Sequence, residues 1–98
     1  MKIYTDAALT QEVKELSLGV VFAGDTKKYT YYIYNDSNAE LTGLTAKIAH
    51  KEVKVISFPE MLPSLQSSEL IIEWSPAVDI KEGLKTKVAF AGFALYRG

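Results

Sequence analysis

One histidine and three aspartates are the residues of this chain whose types could support catalysis. His50 is the only histidine, and its neighbours Ala49, Lys51 and Glu52 are typical of a turn. A Ser-His-Asp triad or a multi-histidine metal site needs partners at recognisable positions, and no such motif surrounds His50. We therefore predict a solvated turn histidine and no catalytic residue.

The aspartates are the second candidates, because glycoside hydrolysis uses two acids held about 5–10 Å apart across a cleft. Asp25, Asp36 and Asp79 all lie in segments of turn composition, where aspartate usually accepts hydrogen bonds from nearby backbone amides. The turn at 35–38 also lacks the spaced acidic ligands of a calcium loop. The sequence thus predicts no cofactor, no metal site and no enzymatic activity.

The tyrosines between positions 29 and 34 carry the strongest functional signal, because tyrosine combines a large apolar ring with a polar tip and is enriched at interfaces. Alternation along a strand gives two sets of side chains: Tyr29, Tyr31 and Ile33 on one face, and Thr30, Tyr32 and Tyr34 on the other. One face must belong to the core. The other face is either an ordinary, partly covered sheet surface or a partner-binding face, for which Tyr32 and Tyr34 are the candidate binding residues.

The first residues are the other candidate for partner binding. We predict an N-terminal arm over residues 1–11, with a short helical turn after its extended part, followed by the domain at 12–98. Ile3, Tyr4 and Leu9 are the arm residues that would gain by docking on a neighbour. Addition of the arm to another subunit's sheet edge would provide main-chain hydrogen bonds, and a frayed terminus is the alternative.

Composition and charge restrict the class of protein. The 98 residues are 48% hydrophobic and 23% charged, so they can bury one modest core. A formal charge of −1 gives no electrostatic attraction to nucleic acid or to an anionic membrane, and we predict neither as a partner. The absence of cysteine excludes disulfides and thiolate metal sites. No signal peptide is predicted, because the amino terminus has no apolar run.

Short β-patterned segments separated by turn residues run along the chain. Strands are predicted over 13–22, 29–34, 41–48, 53–58, 69–74 and 84–96. Turn signals every 8–12 residues are typical of an all-β sandwich. Gly92 lies inside the last segment, where a missing side chain marks a bulge or the close approach of another backbone.

The segment LSLGVVFAGDTKKYTYYIYNDSNAEL resembles the opening of an immunoglobulin-like β-sandwich of the major-sperm-protein and ASH type. A Leu-x-Leu-Gly strand, a Gly-Asp-Thr turn, a hydrophobic strand and an Asn-x-Ser turn follow in the family's order, beginning at Leu16, Gly24, Tyr29 and Asn35. The resemblance continues over 68–76. It implies a single immunoglobulin-like β-sandwich of about seven antiparallel strands with a short N-terminal arm, and it transfers no functional residue.

In type, such a domain is similar to small structural proteins of tailed bacteriophages. This similarity implies a non-enzymatic virion protein, made in the host cytoplasm, that decorates or connects capsid, neck or tail components in multiple copies. Its partners would be capsid, neck or tail subunits, or a second copy of itself. One alternative is a bacterial cytoplasmic scaffold domain of the ASH type that binds another protein. The other is a small carbohydrate-binding or enzymatic sandwich with an aromatic platform beside an acid pair.

Overall fold

The computed structural model describes residues 1–77 and 84–96, with the backbone alone at 95 and 96. All regular elements in these ranges are strands: β1 (Lys2–Tyr4), β2 (Glu12–Val13), β3 (Leu16–Gly19), β4 (Lys27–Tyr34), β5 (Ala39–Ile48), β6 (Val53–Ser57), β7 (Ser67–Trp74), β8 (Leu84–Thr86) and β9 (Val88–Tyr96). The all-β prediction is confirmed. The described part of the chain contains no helix long and apolar enough to cross a membrane.

The described ranges contain nine strands, three more than the six segments predicted from alternation, and the additional strands lie at the two ends of the chain. Two short strands, β1 and β2, precede β3, which occupies part of the segment predicted at 13–22. The segment predicted at 84–96 is divided at Lys87 into β8 and β9. The other strands lie where the alternating pattern places them.

The main sheet has five antiparallel strands in the order β2-β1-β4-β7-β6. Its central strand β4 pairs over its whole length with β7, from Lys27 opposite Trp74 to Tyr34 opposite Ser67. The β-branched and aromatic residues of β4 suit this position because both faces of a central strand are packed or partly covered. The strand is therefore held from both sides.

The remaining strands form two antiparallel pairs, β3 with β8 and β5 with β9. The connection at 58–66 leaves the main sheet after β6 and runs along the free edge of β5 before it returns as β7. On this edge Leu41 and Leu62 exchange two backbone hydrogen bonds, with N–O distances of 3.0 and 2.8 Å. The connection thereby ties β5 to the main sheet.

One core joins these elements. The main sheet contributes the fully buried Ile33, Leu70, Ile72 and Trp74, and β3 contributes Leu16 and Leu18. Because side chains from the main sheet and from outside it meet in a single cluster, the arrangement is compatible with a small β-sandwich.

The predicted division of β4 into two faces is confirmed on its inner side. Tyr31 and Ile33 are buried, and Tyr29 packs against the core while its hydroxyl donates a hydrogen bond to the carbonyl of Leu18. Burial raises the pKa of both Tyr29 and Tyr31 above the usual tyrosine range.

The N-terminal segment is a strand of the chain's own sheet rather than an arm. Lys2, Ile3 and Tyr4 in β1 pair with β4, and Ile3 is only 8% exposed. The physical reason is that the backbone N–H and C=O groups along this edge of β4 need hydrogen-bond partners, and that Ile3 reaches the core when β1 supplies them. The helical turn expected after the arm is a non-helical turn over residues 5–10.

Asp6 organises that turn. Its carboxylate accepts backbone hydrogen bonds from Thr10 at 3.0 Å and Gln11 at 2.9 Å, and a further bond from the Thr10 hydroxyl. These bonds, that of the Thr10 side chain first, lower the pKa of Asp6. The turn that connects β1 to β2 is therefore tied to an ionised carboxylate.

We expect acid to loosen this turn. Because the pKa of Asp6 is lower in the folded state, its contribution to stability is complete above the ordinary aspartate pKa of about 3.9 and is lost as the pH falls through the lower, folded value. Hydrogen exchange at the Thr10 and Gln11 amides, corrected for intrinsic rates, should then speed up. Asp6→Asn should remove this pH dependence, and Asp25→Asn in another exposed turn should not.

Asn35 fixes the connection between β4 and β5 from a buried position, 1% exposed. Its Nδ2 donates to the carbonyls of Ala39 at 2.7 Å, Leu62 at 3.0 Å and Pro63 at 3.2 Å. Its Oδ1 accepts from the Ser37 backbone at 3.1 Å and from the Ser37 hydroxyl at 2.7 Å. One side chain therefore joins the 35–38 turn, β5 and the 58–66 connection.

Gly92 shows the close approach that its position in the sequence predicts. A Cβ placed there would lie 2.8 Å from Leu44 Cδ2 and 3.1 Å from the Thr42 carbonyl oxygen. The register between β5 and β9 shifts at this point, between Thr42 and Thr45, and Gly43 in the shift has a φ of 58°. The bulge of β5 thus takes up the space that a side chain at position 92 would need.

Candidate functional site: the tyrosine face

The outer face of the main sheet brings three tyrosines together. Pairing of β1 with β4 places Tyr4 opposite Tyr32, and Tyr34 follows on the same face of β4. All three side chains are partly exposed. We call Tyr4, Tyr32 and Tyr34 the tyrosine face.

Charged residues border the tyrosine face. Glu12 of β2 lies opposite Tyr4, Glu69 of β7 lies opposite Tyr32, and Lys2 lies opposite Tyr34. In the ranges 1–77 and 84–96, none of these three charged side chains forms an ion pair within 4.0 Å. The rings thus have a polar rim, a feature that protein interfaces share.

Farther along the sheet the outer face becomes polar. Lys28, Glu73 and Lys54 follow one another across β4, β7 and β6, so their charges alternate. Thr30 and Ile71 lie opposite each other between this row and the tyrosines. Cross-strand alternation of charge is typical of a solvated sheet surface and marks the limit of the tyrosine face.

The other predicted partner-binding residues lie elsewhere. Ile3 precedes Tyr4 on the same strand and therefore points to the opposite, buried face of the sheet. Leu9 lies in the turn between β1 and β2, partly exposed and with a φ of 58°. The structure thus brings Tyr4, Tyr32 and Tyr34 together and separates Ile3 and Leu9 from them.

The candidate catalytic residues do not meet. His50 accepts a hydrogen bond at Nδ1 from the Glu52 backbone at 3.2 Å, and its ring packs edge-on against Trp74 with centroids 6.2 Å apart. Asp25 and Asp36 are exposed in turns, and Asp79 lies outside the described residues. Within 1–77 and 84–96, no group of three or more histidine, aspartate or glutamate side chains gathers as a metal site.

Relatives would give an independent indication of function. Comparison of the chain with protein-family models, curated proteins and solved structures gives no match. We therefore infer the function from the residues of this chain and from their arrangement.

Sequence reasoning found the outward tyrosines of β4 but not their neighbourhood. The sequence places Tyr4 in a separate arm and gives no signal for Glu12 and Glu69, because strand register joins these residues to Tyr32 from distant positions. One local signal was present, since Lys2 and Tyr4 alternate with Ile3 as the residues of an amphipathic strand do.

Proposed function

We propose that this chain is a non-enzymatic protein-binding module that holds a partner protein on its tyrosine face within a larger assembly. The observation that carries the proposal is the placement of Tyr4, Tyr32 and Tyr34 at neighbouring positions of one sheet, with Glu12, Glu69 and Lys2 around them. The similarity of type to phage structural proteins supports a finer version, in which the assembly is a virion and the partner is a capsid, neck or tail subunit.

The rigidity of the sheet favours binding. Tyr32 and Tyr34 lie on β4, which is hydrogen-bonded on both sides, so the backbone that carries them is ordered before a partner arrives. A tyrosine side chain has two principal torsions and loses little conformational entropy on binding. A preorganised aromatic surface therefore costs less to bury in an interface than one on a loop.

The charges favour a protein over nucleic acid. Single-stranded nucleic acid binds to stacked aromatic rings along a positively charged groove. Here two glutamates and one lysine surround the tyrosines, and the chain has a formal charge of −1. Phosphate groups would meet the glutamates, whereas a protein surface can offer a basic side chain to each of them.

We expect Tyr32→Ala to weaken partner binding about 30-fold, because a tyrosine at the centre of an interface contributes about 2 kcal/mol. A photoactivatable phenylalanine analogue at position 32, introduced in the cells or particles from which the protein is recovered, identifies the partner by mass spectrometry. Calorimetry with the purified partner then gives the dissociation constant.

Thr30→Ala is the matched control, because Thr30 is exposed on the same face of β4 but lies outside the tyrosine face. It should leave the dissociation constant unchanged. Unaltered affinity in Tyr4→Ala, Tyr32→Ala and Tyr34→Ala would refute the proposal. Quantitative mass spectrometry of purified virus particles tests the virion version of the proposal. We expect multiple copies of the protein in each particle. Absence of the protein from the particles would contradict that version.

A further inference from the structure

The second strand pair has an open edge. In the described part of the chain, β9 pairs with β5 alone, so one side of its backbone has no strand beside it. The strand reads VAFAGFALY, nine residues without a charge or a proline. Phe93 on this strand is 74% exposed.

Such an edge is unusual because proteins protect open strands. Charged residues, bulges and short length normally prevent an exposed edge from pairing with another chain. The two edges of the main sheet follow this rule, since β2 has two residues and β6 carries Lys54 and a register shift. The edge of β9 has neither a charged residue nor a proline that would prevent pairing with another strand. The edge is therefore suited to receive another strand.

We infer that β9 pairs antiparallel with β9 of a second copy of this chain, about a two-fold axis that passes through Gly92. This inference goes beyond the proposed function, because no residue of the tyrosine face belongs to β9. The two copies would form a continuous sheet in the order β5-β9-β9-β5. Because the contact is symmetric, it covers both open edges and closes as a dimer.

The sequence of β9 is complementary to itself in this register. With Gly92 opposite Gly92, Phe90 lies opposite Ala94 and Ala91 lies opposite Phe93, so each ring faces a methyl group of the other copy. Because β9 itself carries no charge, no like charges meet between Val88 and Tyr96 of the two copies.

The length of β9 and the alternation of its faces also favour this register. In this register the two strands pair over their full length, with Val88 of each copy opposite Tyr96 of the other, whereas any shift leaves residues at the ends unpaired. A shift that moves the pairing by one residue would place the core-facing side of one copy on the outer side of the other. Gly92 is therefore at the centre of the pairing.

The first test is sedimentation of the intact chain as a function of concentration. We expect the mass to rise from the 10.9 kDa of one chain toward twice that value. Ala91→Lys should weaken the dimer at least tenfold, because two lysines enter the interface opposite phenylalanine. Phe93→Ser removes an exposed ring and serves as a second variant, should Ala91→Lys fail to fold. Ala7→Lys, in the exposed turn after β1, is the matched control and should dimerise as the original chain does.

The second test determines the register by disulfide cross-linking between introduced cysteines. The cross-links are specific because the chain has no cysteine of its own. Opposed residues of antiparallel strands have Cα atoms roughly 4.5–5.5 Å apart, within the range of a disulfide, whereas diagonal neighbours are roughly 7–8 Å apart. A mixture of Ala91→Cys and Phe93→Cys should therefore cross-link on oxidation much faster than either variant alone.

The outcomes separate this inference from the proposed function. Dimerisation that survives both Ala91→Lys and Phe93→Ser, or a chain that stays monomeric at millimolar concentration, would overturn the β9 pairing. Dimerisation lost in Tyr32→Ala would assign self-association to the tyrosine face instead. Dimers that keep their affinity in Tyr32→Ala and lose it in Ala91→Lys support the inference, whatever the tyrosine face binds.

Discussion

Replacement of Asn35 by alanine is expected to lower the free energy of unfolding by about 3 kcal/mol. The side chain donates to three carbonyls and accepts two hydrogen bonds from Ser37. Alanine removes one donor from each of the three carbonyls and removes the acceptor of the Ser37 backbone amide, in a place where the residue is 1% exposed and water does not readily replace the lost groups. Loss of a hydrogen bond costs little free energy where water can replace the missing group, and more where the remaining partner stays buried.

Asn35→Asp provides a sharper version of this prediction. The introduced carboxyl has the shape of the amide, but an oxygen replaces Nδ2 and faces the carbonyls of Ala39, Leu62 and Pro63. Burial and these carbonyls favour the protonated form, so the pKa of the introduced group rises on folding. A raised folded-state pKa means that stability is lost as the pH rises through it, and the variant should recover part of its deficit toward pH 4.

Urea unfolding followed by tryptophan fluorescence measures both effects, because Trp74 is the single tryptophan and is fully buried. Asn38→Ala is the control, since Asn38 is exposed in the same turn. We expect it to change stability by less than about 0.5 kcal/mol. An Asn35→Asp variant whose deficit is equal at pH 4 and pH 7 would show that the carboxyl is hydrated and that the network is open to water.

Gly92→Ala is expected to cost about 2 kcal/mol, which is large for the addition of one methyl group. The new Cβ would lie 2.8 Å from Leu44 Cδ2 and 3.1 Å from the Thr42 carbonyl oxygen. The Leu44 side chain is buried and can move away only in part, and the carbonyl belongs to the backbone of β5 and moves only with the strand. The cost is therefore a strain between β5 and β9 rather than a loss of glycine's conformational freedom.

A comparison with another glycine isolates this strain. Gly24 has a φ of 83° and no atom within 4 Å of a built Cβ, so Gly24→Ala should cost about 1 kcal/mol from its backbone conformation alone. Combining Gly92→Ala with Leu44→Ala should cost less than the sum of the two, because one change removes an atom that the other displaces. Strict additivity would mean that the backbone contact carries the whole effect.

The features of the fold that the sequence predicts are those that depend on residues close together in the chain. The run YTYYIY predicts both the strand β4 and its two faces, because alternation has a fixed period and the composition favours a pleated strand. The close contact at Gly92 is predictable for a similar reason, since a glycine inside a strand pattern indicates that another part of the backbone lies nearby. β1 has only the short alternation of Lys2, Ile3 and Tyr4 as a local signal, because a strand of three residues is stabilised by its neighbour β4 more than by its own sequence.

The same distinction applies to the candidate site. Tyr32 and Tyr34 share a face by alternation alone, but the addition of Tyr4 and the glutamate border depends on which strands pair and in which register. Asn35 reads in the sequence as a turn residue, and the turn is confirmed. Its bonds to Leu62 and Pro63 depend on the path of the 58–66 connection, which no local pattern specifies.

The order of strands along the chain has a consequence for synthesis. β4 and then β7 leave the ribosome before β9 does, so the strands of the main sheet can begin to pair first, because β9 follows every strand of that sheet. The apolar strand thus emerges when β5 is already in place to receive it. A product truncated before β9 would instead keep the long edge of β5 uncovered, and such incomplete chains are the ones that cellular quality control would have to remove.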